Sequence, residues 1–318
     1  MHRYEVELDL TNANTSHTLM LDLIGGNKRV LDVGCASGYL AEALNQRGCV
    51  VSGVEADADL AELARPHMEK VVVADVEACN LVEAFGPGSF DVIVFGDVLE
   101  HLRDPLPVLR QARPLLAAGG TVVASVPNIA HGSIRLALLQ GRFEYQPTGL
   151  LDHTHLRFFT LDTLEQLFRD AGLVAAEVRR TTTGPFDATH ALDEQAFSPE
   201  IVDMVMADPE SLTYQFVLRA VLDDAGEAVA ALRAREEQQR RELIELRRAL
   251  DHETRRRTEA ETRAEELDKR ADDLERQLHD ALEDAAATGA HLDTVLATRT
   301  MRWSSGVRKV YGRIRKLR

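Results

Sequence analysis

The segment VLDVGCASGYLAEALNQ, residues 30–46, decides the fold that the sequence predicts. It opens with a β-branched run, turns between Gly34 and Gly38, and continues with the apolar spacing of a helix. Glycines in such a turn let the backbone approach a ligand closely, and the first turn of the helix offers unpaired N–H groups. The segment therefore predicts a strand, a ligand-binding turn and a crossover helix.

Short β-branched runs and helical patterns alternate throughout residues 28–220. This alternation is typical of a parallel sheet with crossover helices. We predict an α/β domain over 28–220 with a Rossmann-like, doubly wound sheet of seven strands, preceded by an N-terminal cap segment over 1–27. The strands are predicted at residues 30–33, 50–54, 71–74, 90–95, 121–126, 174–179 and 214–221.

Composition and charge narrow the class of protein. A chain of 318 residues exceeds the size at which a single core stops growing, about 250 residues, so a further segment is expected. Its three cysteines show no metal-ligand spacing, which indicates a reducing compartment. No basic stretch followed by an apolar run opens the chain, so we expect no signal peptide. These two observations favour a cytoplasmic protein. The net charge of −15 argues against binding to nucleic acid.

The composition changes near residue 220. All ten prolines and all ten phenylalanines precede this point, and residues 221–300 contain no aromatic side chain. A heptad repeat begins at Leu222, with seventeen of its 22 a and d positions apolar. We predict a coiled coil over 222–298, roughly 110 Å long, that makes the protein a homo-oligomer. A single solvated helix is the alternative, because the seam is rich in alanine and is interrupted at Glu253 and Arg257.

The last segment, MRWSSGVRKVYGRIRKLR, is strongly basic. Residues 301–318 carry seven basic side chains and no acidic one. Apolar residues recur at spacings of four and three from Trp303 to Leu317, which predicts a basic amphipathic helix. Such a helix suits the surface of an anionic bilayer. A solvated tail or a nucleic-acid patch is the alternative.

Two features of the glycine-rich turn argue against a dinucleotide. The turn reads GxxxG rather than GxGxxG, and Asp32 would repel a pyrophosphate. Together with Glu55, the segment Ala74-Asp75-Val76 and the segment FDVIVFGDVLEHL at 90–102, the turn resembles the class I S-adenosylmethionine-dependent methyltransferases. The resemblance covers about residues 15–220, and it implies S-adenosylmethionine as the cofactor.

The resemblance also implies a role for each cofactor residue. Asp32 and the Gly34 backbone would hold the methionine ammonium, Glu55 would accept hydrogen bonds from the ribose, and Asp75 would accept one from the adenine amino group. Glu55 and Asp75 could instead be ordinary acids at strand ends. The expected cofactor-binding residues are Asp32, Gly34, Cys35, Ala36, Gly38, Glu55, Ala56, Asp75, Val76, Gly96, Asp97 and Val98.

A long insertion over 125–160 follows the fifth predicted strand, where loops of this fold hold the ligand. Histidine is suited to removing a proton from an acceptor hydroxyl near neutral pH. The candidate bases, in order, are His153, His155 and His131, although any of them could be structural. Further expected substrate-binding residues are His17, Glu100, His101, Asn128, Asp152 and Arg157. Asp152, His153 and His155 could hold a divalent cation, but this spacing is weak and we expect no metal.

The insertion narrows the resemblance to methyltransferases of bacterial surface polysaccharides, including O-antigen chain-terminating enzymes with a C-terminal coiled coil. This implies an O-methyltransferase acting on a sugar hydroxyl of a lipid-linked glycan. Its partners would be the inner face of the cytoplasmic membrane, a second copy of the chain, and glycosyltransferases. Two alternatives stay open: a small-molecule O-methyltransferase of the quinone type, whose Leu99-Glu100-His101 motif is similar, and an inactive scaffold.

Overall fold

A computed structural model describes residues 8–188 and 192–314. The expectations for residues 1–7 of the cap segment and 315–318 of the tail lie outside this part. Helices are α1 (Ser16–Ile24), α2 (Tyr39–Gln46), α3 (Ala58–Ala64), α4 (Leu81–Phe85), α5 (Pro105–Leu115), α6 (Gly132–Leu139), α7 (Leu161–Asp170), α8 (Pro199–Met206) and α9 (Ala225–Ile314). Short 3-10 turns span Arg65–His67, Leu99–His101 and Glu194–Ala196.

The strands form one mixed sheet. They are β1 (Arg29–Val33), β2 (Val50–Glu55), β3 (Lys70–Val73), β4 (Phe90–Gly96), β5 (Leu116–Pro127), β6 (Leu173–Thr182) and β7 (Thr213–Leu222). Their order is β3-β2-β1-β4-β5-β7-β6, and β7 runs antiparallel between β5 and β6. The predicted seven-stranded Rossmann-like domain is confirmed.

Alternate residues of the central strands pack on opposite faces of the sheet. Leu31, Ile93 and Phe95 join a core with helices α5 and α7, and this core includes the fully buried Phe168. Val30, Val92 and Val94 join a second core with α1 and α2. Because strands with helices on both faces bury both sets of side chains, they read as continuous apolar runs in the sequence. This arrangement leaves the carboxyl ends of the strands free to carry a site.

The long helix α9 begins close to the predicted end of the methyltransferase domain. The chain divides into compact units at 1–239 and 240–318, so the first turns of α9 belong to the first unit. There, the guanidinium of Arg235 pairs with Glu165 of α7. The helix is continuous up to Ile314, and so it runs through the predicted boundary between the coiled coil and the basic tail.

Large apolar side chains at the heptad positions of α9 are exposed, among them Leu246, Leu274 and Leu278. The coiled coil and the homo-oligomer stay predictions. None of the helices described is both long and apolar enough to cross a bilayer.

Candidate active site

The turn after β1 requires glycine at two positions. Gly34 and Gly38 have φ angles of 75° and 80°, in the left-handed region that favours glycine. A Cβ on Gly34 would lie 2.6 Å from Cγ2 of Val98, and one on Gly38 would lie 2.9 Å from Cα of Ala64. Ala36, between them, also has a positive φ of 46°, and its N–H donates to Glu55 Oε2 at 2.9 Å. The carboxylate at the end of β2 therefore anchors the turn.

Beside this turn lies a cavity of about 500 Å³. Three carboxylates line it, from Glu55, Asp57 and Asp97, and no lysine or arginine does among the residues described. An acidic lining suits a positively charged ligand. The full lining is His17, Gly34, Ala36, Tyr39, Glu55, Ala56, Asp57, Leu60, Gly96, Asp97, Val98 and His101.

Asp32 lies at the end of β1 and is 3% exposed. Burial raises the pKa of its carboxyl to about 7, and the negative charge of Glu55 adds to this shift. A cation bound beside Asp32 would favour the ionised form. The expected contact with an ammonium therefore fits the electrostatics of this position.

Most of the predicted cofactor residues meet in one place. Gly34, Ala36, Glu55, Ala56 and the segment 96–98 line the cavity. Asp32, Cys35, Gly38, Asp75 and Val76 are not among its lining residues.

The predicted adenine contacts lie at the end of β3. Asp75 is exposed, and its Oδ1 accepts a hydrogen bond from the N–H of Glu77. Val76 is buried in the core beneath it. Their adenine role stays a prediction.

Sequence reasoning missed three cavity residues, Tyr39, Asp57 and Leu60. Asp57 accepts hydrogen bonds from the first N–H groups of α3, an acid-before-helix signal that could have located it. Tyr39 opens α2, and its ring meets the imidazole of His17 edge to face at 5.4 Å between centroids. His17 also lines the cavity, and its predicted contact with the acceptor stays a prediction.

A second group of side chains extends the site toward the insertion. The carbonyl of Glu100 accepts hydrogen bonds from the N–H groups of Leu156 and Arg157, at 2.8 and 2.9 Å. These bonds bring residues more than fifty positions apart together. As a result, the rings of His101 and His155 meet edge to face at 4.8 Å between centroids.

Glu100, His101 and His155 form a cluster of acceptor atoms. One ligand atom from each lies within 4.8 Å of the others. Nδ1 of His101 lies 3.2 Å from the carbonyl of Thr154, and Nδ1 of His155 lies 3.1 Å from that of Leu150. Because a carbonyl only accepts, Nδ1 is the donor in both contacts, so Nε2 is the nitrogen that can accept a proton when either ring is neutral.

The carboxylate of Glu100 is buried, and neither of its oxygens has a hydrogen-bond partner among the described residues. Burial raises its pKa well above the usual range, and the charge of Asp97 adds to the shift. Burial also lowers the pKa of His155, which favours the neutral ring. Such a cluster attracts positive charge, and its donor set fits either a proton or a divalent cation. Asp152 and His153, which the sequence left open as ligands of a cation, are not part of this set.

Two of the three candidate bases lie away from this cluster. His153, the first choice, is exposed on the insertion, with Nδ1 3.3 Å from the carbonyl of Gln146. His131 is fully buried and caps α6, with Nε2 3.1 Å from the carbonyl of Thr183 and Nδ1 accepting from the Ser133 N–H. The structure does not place either residue on the cavity. Only His155, the second choice, belongs to the cluster.

The remaining predicted acceptor residues have structural partners. Asn128 is fully buried and donates to the carbonyls of Glu210 and Thr213. Asp152 Oδ1 accepts from the N–H and hydroxyl of Thr154, which shapes the turn beside His101. Arg157 is exposed, and its Nε donates to the carbonyl of Arg103 at 2.8 Å. The substrate role of Arg157 stays a prediction.

A chain of aromatic side chains in the insertion starts at the cluster. The ring of Phe158 lies 6.5 Å from that of His155 and 6.1 Å from that of Phe143, and Phe143 meets Tyr145 at 5.6 Å. Phe143, Tyr145 and Leu156 are exposed. Phe158 therefore connects the cluster to exposed aromatic side chains of the insertion.

The fold and the acidic cavity define an S-adenosylmethionine-dependent methyltransferase. The sequence profile of a family described as "Methyltransferase domain" matches residues 11–178, more than half of the chain, and the chain belongs to this family. S-adenosylmethionine is its cofactor.

Among its relatives are two proteins named ubiquinone biosynthesis O-methyltransferase. The one from Neisseria meningitidis is 33% identical over 55% of this chain and 77% of its own length. The one from Thiobacillus denitrificans is 31% identical over 52% of this chain and 73% of its own length. A methyltransferase structure from Archaeoglobus fulgidus aligns with a TM-score of 0.46 and 17% identity, over 67% of this chain and 96% of the other.

Proposed function

We propose that this enzyme transfers a methyl group to a hydroxyl on an aromatic ring that carries an apolar substituent. The proposal rests on the chain of aromatic side chains, Phe158, Phe143 and Tyr145, that starts at His155. It is supported by relatives whose names specify O-methylation in ubiquinone biosynthesis. The sugar hydroxyl that the sequence favoured gains no support from these relatives. An aromatic acceptor is therefore the better proposal.

S-adenosylmethionine, when bound, supplies a methyl group that is already electrophilic. The protein has to orient the acceptor oxygen and take its proton. The pKa of a phenol is close to the pKa of tyrosine, about 10. A neutral imidazole therefore accepts a proton from a phenol more readily than it accepts one from an aliphatic alcohol.

His101 is the member of the cluster that lines the cavity. With Nδ1 directed to the carbonyl of Thr154, its Nε2 is the atom that would receive the proton. Thr154 is in turn held by Asp152 through a hydrogen bond of 2.8 Å between hydroxyl and carboxylate. A base oriented by a second group in this way is a recurring arrangement in catalysis.

Methyl transfer to model acceptors tests the proposal. The purified chain would be incubated with S-adenosylmethionine and either 4-tert-butylcatechol or methyl glucoside, and methylated product would be detected by mass spectrometry. We expect a methyl ether of the catechol and none of the glucoside. Product only from the glucoside, or only from a lipid-linked saccharide fraction, would return the assignment to a glycan acceptor.

The same assay with and without EDTA tests the use of the cluster. Activity that requires an added divalent cation would make Glu100, His101 and His155 its ligands rather than proton acceptors. Bound cofactor with no transfer to any acceptor would instead favour an inactive scaffold.

The tail is proposed to hold the enzyme at an anionic membrane surface. Trp303, Val307 and Val310 are exposed, and Trp303 is 79% exposed. Arg308, Lys309 and the other basic residues of the tail lie between and beyond them in the sequence. Docking would raise the concentration of the enzyme near an acceptor dissolved in the membrane, which is a physical reason to join such a tail to this chemistry.

A further inference from the structure

Asp97 has an unusual backbone conformation for its residue type. It follows the end of β4, lines the cofactor cavity, and has a φ of 53°. A residue other than glycine rarely adopts this backbone conformation unless its surroundings hold it there. Ser125 at the end of β5 does so, because its Oγ accepts from the N–H of Asp97 at 3.0 Å and donates to Asp97 Oδ1 at 2.7 Å.

A second donor reaches Asp97 from the antiparallel strand. Nε2 of Gln215 on β7 donates to the same Oδ1 at 2.9 Å, across 118 positions of sequence. Oδ1 thus has two donors, whereas Oδ2 receives no hydrogen bond from any residue in the described part of the chain. Both donors are neutral, so they fix the orientation of the carboxyl group without pairing it with a positive charge.

The other acids of the cavity are used differently. Both oxygens of Glu55 accept backbone N–H groups, from Ala36 and Asp57, each at 2.9 Å. Asp57 is exposed and caps α3. Asp97 is the lining acid on the β4 side, next to the turn that carries His101. It therefore lies at the junction between the cofactor cavity and the acceptor cluster.

We propose that Asp97, positioned by Ser125 and Gln215, recognises the positive charge of the sulfonium and makes the site prefer S-adenosylmethionine to S-adenosylhomocysteine. The two molecules differ by one methyl group and one positive charge. A fixed carboxylate in a cavity without lysine or arginine in its described lining attracts the charged one. The attraction disappears when the methyl group leaves, which favours release of the product.

Dissociation constants for both molecules, measured by isothermal titration calorimetry, test this proposal without an acceptor. For Asp97→Asn we expect the Kd of S-adenosylmethionine to rise about tenfold or more, and that of S-adenosylhomocysteine to change less than about threefold. Gln215→Met keeps the side-chain length and removes the donor, so it should weaken S-adenosylmethionine selectively by about threefold. Gln46→Met, on the exposed end of α2, is the matched control and should bind both molecules as the wild type does.

An equal loss of affinity for both molecules in Asp97→Asn would overturn the charge recognition. Wild-type selectivity in Gln215→Met would overturn the positioning role. If circular dichroism shows that Asp97→Asn does not fold, Gln215→Met and Ser125→Ala replace it. The quantity compared is again the ratio of the two dissociation constants, for S-adenosylmethionine and S-adenosylhomocysteine. A chain that shows the predicted ratio but methylates no catechol would refute only the proposed function.

Discussion

Replacing Asp32 by asparagine should stabilise the free protein and abolish its function. The pKa of Asp32 in the fold is about 7, against 3.8 for an exposed aspartate. The folded state therefore binds the proton more tightly than the unfolded state. Stability from this group is fully present below pH 3.8 and is lost as the pH rises to about 7, where the buried carboxylate is ionised.

The size of the effect follows from the shift. About three pKa units correspond to about 4 kcal/mol at pH 8, since each unit is worth about 1.4 kcal/mol. An asparagine side chain is neutral at every pH, so Asp32→Asn should exceed the wild type in stability by up to this amount at pH 8. Between pH 8 and pH 5 the difference should shrink by about 3 kcal/mol, because the wild-type carboxyl becomes protonated.

Urea unfolding of both proteins without cofactor, at pH 5, 6, 7 and 8, measures this difference. Asp59→Asn, an exposed acid on α3, is the control and should change stability little at any pH. The reasoning is refuted if Asp32→Asn is less stable than the wild type at pH 8, or if the difference does not depend on pH.

Cofactor binding should respond in the opposite direction. The wild type must ionise Asp32 to hold a cation, so its affinity for S-adenosylmethionine should fall up to about tenfold per pH unit below pH 7. In Asp32→Asn the affinity should be low at pH 8. A loss of binding together with a gain in stability separates a functional acid from a structural one.

Three further predictions concern other parts of the chain. His101→Gln should lower the methyl-transfer rate at least about a hundredfold while S-adenosylmethionine binding is kept, and His153→Gln should retain activity; equal losses in both would remove the preference for His101. Deleting residues 301–318 should abolish sedimentation with vesicles that contain phosphatidylglycerol, and undiminished sedimentation would refute the membrane role of the tail. A chain ending at Gln239 should be monomeric by light scattering if α9 is the oligomerisation element, whereas retention of the full-length oligomer would exclude the coiled coil.

The central strands could be predicted because they are buried on both faces. Phe90–Gly96 is apolar except for Asp91, so composition alone locates it. β5 begins at Leu116, five residues before the predicted start, because Leu116 pairs with Phe90 across an irregularity of the ladder. The reversed direction of β7 depends on its place between β5 and β6, which its own residues do not encode.

The cofactor half of the site was also accessible to sequence reasoning, because it is built locally. Gly34, Gly38 and Glu55 lie within 22 positions, and the turn conformation and its anchor follow from residue types at fixed spacing. The exact lining was less accessible. Asp57 and Leu60 reach the cavity only because α3 follows β2 directly.

The acceptor half of the site is built from residues far apart in the sequence. This explains why sequence reasoning placed His153 first among the candidate bases. His153 and His155 are two positions apart and equally polar in sequence. Hydrogen bonds between the Glu100 carbonyl and the backbone of residues 156 and 157 bury His155 against His101 and leave His153 in solvent. These long-range bonds are a property of the folded chain.

The cofactor half and the acceptor half of the site are built from different segments of the chain. We therefore expect substitutions in one half to leave the other unchanged. The cofactor turn connects β1 to α2 and is anchored by Glu55 at the end of β2, whereas the insertion is held by the carbonyl of Glu100. The insertion contributes exposed Phe143, Tyr145 and Leu156, positions where a change of side chain disturbs little packing. Substitutions there should alter which acceptor is methylated while the affinity for S-adenosylmethionine stays constant. Acceptor identity in this family would then vary with the insertion, and the cofactor half would stay the same.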